Sequence, residues 1–163
     1  MNLDNMDVKK DRMLYTKDSF SATMALLAIV FDCLYFVSIY QSDVGSWYYN
    51  WVIGASVIYN LVFLLAAFLA SESVKNRKKG YSGVLALIGI LQFVRVFYLP
   101  AKAHAATAMV NGVEVAVMEN SQYIYVVVCL VLSGICCLIA SVTSFRNNKI
   151  LDDYMKTLEN QAA

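Results

Sequence analysis

One carboxylate and one guanidinium stand inside long apolar stretches of this sequence. Asp32 lies within residues 26–37, LLAIVFDCLYFV, and Arg95 lies within a second apolar run. Charged side chains are expensive in the hydrocarbon of a membrane, so those found there usually face the protein, pair with each other or line an ion path. The residue types therefore indicate either a buried ion pair or a site at which a carboxylate takes up and releases a proton.

Four apolar stretches define the elements that must position these charges. They are residues 20–40, 50–70, 82–100 and 123–145. Each has about 20 residues, which as a helix crosses a hydrocarbon core of about 30 Å. The composition agrees, because 60% of residues are hydrophobic and 15% charged, whereas soluble domains average about half and a quarter. We predict an all-α integral membrane protein, a bundle of four transmembrane helices in a single domain.

The distribution of basic residues predicts the orientation of the bundle. Of the thirteen lysines and arginines, eleven lie in the N-terminal segment, the 71–81 connection and the tail 146–163. Arg95 is inside the third span, and Lys102 alone lies in an opposite loop. Basic residues next to membrane spans accumulate on the cytoplasmic side. We therefore expect both termini to be cytoplasmic, in a multi-pass protein of the plasma membrane.

Asp32 and Arg95 are expected at the same depth. Asp32 comes twelve residues after Phe20, and Arg95 comes thirteen residues after Ser82. At about 1.5 Å per residue these offsets are about 18 Å and about 20 Å from the same boundary, because the first and third spans run in the same direction. The spacing thus predicts that the two charges are partners. The alternative is that Arg95 extends to the nearby boundary, which leaves Asp32 with uncharged partners or protonated.

Other polar residues are predicted in the same layer. Asn60 and Ser133 are each about 15 Å into their spans, and Gln92 is one turn before Arg95. We also place Tyr98 and Lys102 on the Gln92–Arg95 stripe. On the first span, small residues line the face that leads to the aspartate: Ser21, Ala25 and Ala28. The predicted intramembrane polar layer is Asp32, Asn60, Gln92, Arg95 and Ser133.

Two segments outside the spans have patterns of their own. In the outer loop, residues 101–122, the pair Asn111-Gly112 separates two β-prone runs and suits a type I′ turn. We expect a small β-hairpin over about residues 107–118, the alternative being an ordered loop without strand pairing. In the tail, apolar residues recur at helical spacing, which predicts an amphipathic helix that lies on the membrane surface or contacts a partner. These are Ile150, Leu151, Tyr154, Met155 and Leu158.

Several functional classes find no support in the sequence. It has no phosphate-binding glycine loop, no His-Glu-x-x-His pair and no Gly-x-Ser-x-Gly turn. The lone His104 and four cysteines inside the spans do not form a metal-site pattern, so we expect no metal and no cofactor. A net charge of +1 gives no basic field for nucleic acid. The expected partners are the lipid bilayer and other membrane protein subunits or further copies of this chain.

Three interpretations of the polar layer remain open. It fixes the register of the helices, or one of its charges faces another subunit of a membrane complex, or Asp32 takes up and releases protons on a solute path. The first two are compatible. We take the chain to be a non-enzymatic, structural or accessory component of a larger membrane complex. The alternative is a small proton- or cation-coupled transporter that uses Asp32.

Overall fold

Within the part of the chain that the structure describes, the fold has five helices and one pair of short strands. A computed structural model describes residues 3–41 and 51–162. Its helices are α1 (Leu3–Tyr15), α2 (Ser19–Gln41), α3 (Trp51–Lys75), α4 (Tyr81–Ala105) and α5 (Asn120–Ala162). Strands β1 (Thr107–Val110) and β2 (Val113–Ala116) lie between α4 and α5. The predicted first outer loop, 41–49, lies outside the described residues apart from its first residue.

Four of these helices could cross a membrane. Among the described residues, the stretches that are long and apolar enough are Ser19–Ile39, Val57–Lys75, Tyr81–Ala105 and Asn120–Asn160. This confirms the prediction of a mostly helical multi-pass protein with four spans. The helices run alternately up and down. α5 packs closely against α2 and α4. α3 also contacts both α2 and α4, on the side opposite α5.

One end of the bundle carries the basic residues Lys75, Arg77, Lys78 and Lys79, and we call it the basic end. There Asp18 caps α2, because its carboxylate accepts hydrogen bonds from the Ser21 backbone N–H at 3.3 Å and from the Ser21 hydroxyl at 2.9 Å. Helix α3 ends where Arg77 adopts a left-handed φ of 53°. The Asp18 N–H donates to the Lys75 carbonyl at 3.0 Å. The start of α2 is thereby fixed to the end of α3.

The opposite end carries the strands, and we call it the hairpin end. β1 and β2 pair antiparallel, with Thr107 opposite Ala116 and Val110 opposite Val113. The two turn residues between them have positive φ, 54° at Asn111 and 82° at Gly112, as a type I′ turn requires. Buried Val117 and Met118, which follow β2, pack against the helix ends. The pair of strands therefore rests on the bundle.

Helix bounds differ from the predicted spans in three main places. α3 continues to Lys75, five residues past the predicted end at residue 70. α4 continues through Pro100 to Ala105, since a proline removes only one backbone donor and the alanine-rich residues that follow favour helix. α5 is one uninterrupted helix of 43 residues, about 65 Å long, so residues 146–162 extend the fourth span rather than forming a separate helix. Its far part meets α1, whose Asp11 accepts a hydrogen bond from the Tyr154 hydroxyl.

Two apolar clusters form the core, one towards each end. The cluster near the basic end includes Ala25, Phe63, Leu85 and Cys137. The cluster near the hairpin end includes Tyr35, Ile39, Leu99 and Leu130, among others. Along α2, α4 and α5, the predicted polar residues lie between the positions of these two clusters, and on α3 Asn60 directly precedes the cluster near the basic end.

A close crossing of α4 and α5 lies one turn from the polar layer. A Cβ atom added at Gly89 would be 3.1 Å from the Gly134 carbonyl oxygen, 3.1 Å from Leu138 Cγ and 3.2 Å from Cys137 Cβ. Such contacts are tighter than side chains normally make, so the absence of a side chain lets the two backbones approach. Small residues serve this purpose between helices in lipid.

We predict that Gly89→Val destabilises the protein by about 1–3 kcal/mol more than Gly83→Val, because overpacking forces the two helices apart. Gly83 is the matched control, since it lies in the same helix and an added Cβ there meets nothing within 4 Å. The measurement is the midpoint of thermal unfolding in a mild detergent. Equal losses in the two variants would show that the crossing does not depend on the missing side chain.

Candidate functional site

The two intramembrane charges form a direct ion pair. Arg95 Nη1 lies 2.8 Å from Asp32 Oδ1, and the two side chains are only 6% and 3% exposed. The contact joins α4 to α2 across the interior of the bundle. Arg95 therefore points inward, and the alternative in which it extends to the membrane boundary does not apply to this structure.

Gln92 links the ion pair to the fourth span. Its side-chain amide nitrogen donates to Asp32 Oδ1 at 3.2 Å and to Ser133 Oγ at 3.1 Å. Its amide oxygen accepts a hydrogen bond of 2.8 Å from Arg95 Nη1. The amide thus uses both its donor and its acceptor within the site, which a buried polar group needs in order to avoid a large desolvation penalty.

Further hydrogen bonds join Arg95 to α3 and join α5 to α2. Arg95 Nη2 donates to the side-chain oxygen of Asn60 on α3. Ser133 Oγ donates to the Ala28 carbonyl at 2.9 Å, one turn before Asp32. The structure therefore brings Asp32, Asn60, Gln92, Arg95 and Ser133 together in one buried set of hydrogen bonds. We call this set the polar network, and each of the four spanning helices contributes to it.

Three aromatic rings surround the guanidinium. Its Cζ atom lies 4.8 Å from the ring centre of Tyr35, 4.6 Å from that of Phe63 and 5.6 Å from that of Tyr59. A cation at these distances from ring faces gains about 0.5–2 kcal/mol per contact, more where water is excluded. The rings therefore add to the stabilisation that the carboxylate gives to the Arg95 cation.

The sequence contains a weak signal for these rings, which the predicted polar layer does not include. Tyr35 and Phe63 each follow a network residue by three positions, the spacing of side chains on one helix face. Tyr59 precedes Asn60 directly. Aromatic residues are common throughout these apolar helices, so spacing alone does not separate the ones that contact Arg95 from those that face lipid.

The predicted polar stripe on α4 is wrong for its last two residues, Tyr98 and Lys102. Tyr98 and Lys102 are exposed, and the Lys102 ammonium lies 4.6 Å from the Tyr98 ring centre, away from the polar network. Six residues at about 100° each place Tyr98 about 120° around the helix from Gln92. The stripe therefore ends at Arg95.

The turn residues predicted for the hairpin lie elsewhere. Asn111 and Gly112 are at the exposed tip between β1 and β2, separate from the polar network. Nearer the bundle, the Gln122 side chain donates to the Ser38 carbonyl at 2.9 Å. His104 stacks on Tyr123, with ring centres 4.4 Å apart. These contacts join the ends of α2, α4 and α5 at the hairpin end.

Comparisons with known proteins give no further constraint on the site. No protein-family model matches the chain, and neither the curated proteins nor the solved structures that were compared with it gave a match.

We predict that Gln92→Met destabilises the protein by about 1–3 kcal/mol, because it leaves groups on Asp32, Arg95 and Ser133 without their shared partner in a dry site. Leu91→Met is the control, since Leu91 is the neighbouring residue on the lipid-facing side and should change stability by less than about 0.5 kcal/mol. Unfolding by a denaturing detergent measures both. A Gln92→Met protein as stable as the control would mean that the amide is dispensable.

Proposed function

We propose that this chain is a non-enzymatic, structural or accessory component of a larger membrane complex, spanning the plasma membrane four times. The observation that carries the proposal is the polar network. Its charges are opposite and adjacent, and its hydrogen bonds join all four spanning helices. An arrangement in which each polar group already has a partner is suited to fixing helix positions.

The proposed orientation places the basic end in the cytoplasm. Exposed Lys17, Lys78 and Lys79 lie there, whereas the exposed basic side chain near the hairpin end is Lys102. The asymmetry follows the rule that lysine and arginine next to membrane spans remain on the cytoplasmic side. Both termini and the α3–α4 turn are then cytoplasmic, and the pair of strands faces outward.

A partner in this proposal contacts surfaces other than the polar network. Asp32 and Arg95 face each other inside the chain, so neither is offered to a neighbouring subunit. The far part of α5 is a better candidate. Residues 146–162 extend the fourth span on the cytoplasmic side, and Ile150, Met155 and Leu158 remain exposed there. A membrane surface is a poor match for a helix that continues a spanning helix without interruption, so we propose a protein partner or a second copy of this chain.

The second candidate function is a small proton- or cation-coupled transporter that uses Asp32. One observation favours it. Tyr59, whose ring lies 5.6 Å from the Arg95 guanidinium, is 47% exposed, so a single side chain separates the polar network from the surface of the bundle. In this alternative, proton uptake by Asp32 releases Arg95, and the carboxylate serves as the coupling group.

The proposal predicts a complex that depends on the exposed face of α5. The wild-type chain, extracted from its native membranes in mild detergent, should migrate as an assembly larger than one chain with its bound detergent. The triple change Ile150→Gln, Met155→Gln and Leu158→Gln should release this chain from the assembly, because it removes the apolar contacts. Native mass spectrometry gives the composition and stoichiometry.

The matched control changes three exposed polar positions on the same part of α5, Asp153→Asn, Lys156→Gln and Glu159→Gln, and should leave the assembly intact. A single chain in all three preparations would overturn the complex-subunit proposal. Proton-driven uptake by wild-type proteoliposomes that is lost in Asp32→Asn would instead establish the transporter.

A further inference from the structure

A second polar region lies at the basic end, where the α3–α4 turn meets the segment before α2. Arg77 Nε donates to the Thr16 carbonyl at 3.0 Å, which holds the two segments together. Lys17, Lys78 and Lys79 are exposed around this contact. We call Lys17, Arg77, Lys78 and Lys79 the basic patch.

Two acidic residues next to the patch, Asp18 and Glu72, have partners outside it. Asp18 is buried and accepts hydrogen bonds from Ser21 and Asn147. Glu72 pairs with Lys75 at 3.1 Å. Asp152 pairs with Lys79 at 2.8 Å, but both side chains reach solvent, and exposed pairs of this kind contribute little and are easily exchanged. The patch therefore keeps most of its positive charge.

Arg77 has a donor without an acceptor. Its Nη1 atom is buried and has no hydrogen-bond partner among the described residues. A buried guanidinium N–H that lacks an acceptor loses its hydration without replacement. No described acceptor at Nη1 offsets the charge of Arg77, so the guanidinium adds to the positive charge of the neighbouring lysines.

The patch lies at the level where phospholipid headgroups are expected. The apolar spans end at Lys75 and begin again at Tyr81, so residues 76–80 mark a membrane boundary. The first turn of α4 adds to the attraction, because Gly80 provides no side-chain cap and the positive end of the helix dipole favours an anion. Clusters of lysine and arginine directly outside a membrane span are typical binding sites for anionic lipid headgroups.

We propose that the basic patch binds the phosphate of an anionic phospholipid in the leaflet at the basic end. Lys17 and Lys78 contact the phosphate oxygens from the exposed side, and the neighbouring Arg77 guanidinium adds its positive charge to theirs. The bound lipid would hold the α3–α4 turn against the start of α2. This proposal depends on the membrane location of the chain and not on the role of the polar network or on a protein partner.

Full-length protein in detergent micelles tests the proposal by titration with phosphatidylglycerol or phosphatidylcholine, with bound lipid counted by native mass spectrometry. Wild type should bind phosphatidylglycerol preferentially. Lys17→Gln with Lys78→Gln should weaken that binding about tenfold or more, because each basic residue near an anionic headgroup contributes about fivefold in affinity. Both side chains are exposed, so folding should be preserved. Arg77→Gln should weaken binding as well.

Lys149→Gln with Lys156→Gln is the matched control, because it removes the same charge from the same end of the protein without touching the patch. The affinity of this control variant for phosphatidylglycerol should differ from that of the wild type by less than about threefold. Equal weakening by both double variants would overturn the site in favour of diffuse charge attraction. The proposal also fails if phosphatidylcholine binds as tightly, or if inorganic phosphate displaces the lipid, since the site would then be one for free phosphate.

Discussion

The ion pair between Asp32 and Arg95 is the constraint on which the rest of the bundle depends. Two unlike charges in an apolar interior are tolerated only if they meet at short distance and their remaining hydrogen-bonding groups are occupied. That requirement fixes the relative height of α2 and α4. The remaining donors of Arg95 and Gln92 also need acceptors from the other two spanning helices. Asn60 accepts from Arg95, and Ser133 accepts from Gln92. Helix register is therefore set by polar contacts, whereas apolar surface alone would permit sliding.

Other features of the fold are arranged around this layer. Gln92 can reach both Asp32 and Ser133 because α4 and α5 approach closely at Gly89 and Gly134. An apolar cluster lies on each side of the layer, and the residues after β2 cover the one at the hairpin end. The same rings that extend the apolar core, those of Tyr35 and Phe63, also surround the Arg95 cation. These two side chains thus contribute both to apolar packing and to the stabilisation of the buried charge.

Much of this arrangement can be predicted from the sequence, because it depends on the length of the apolar stretches and on the depth of the polar residues within them. Length and apolar composition predict four spans, and equal depth along parallel helices predicts that Asp32 and Arg95 meet. Three features have no comparable signal. α1 is mostly polar, and its few apolar residues give only a weak helical pattern. The continuity of α5 past residue 145 depends on helix propensity without a marked stop. The rings around Arg95 resemble the many aromatic side chains that face lipid, so only packing distinguishes them.

The most direct test of the central claim is a double-mutant cycle of Asp32→Leu and Arg95→Met, with unfolding free energies measured by denaturing-detergent titration in bicelles. Each single change leaves a buried charge unpaired and should cost up to about 3–5 kcal/mol, less if the unfolded chain finds partners in the membrane. The double variant should be more stable than either single. The exposed pair Lys79→Met and Asp152→Leu should show almost no coupling. Strictly additive losses at Asp32 and Arg95 would contradict the account, because they would mean that the two charges do not stabilise each other.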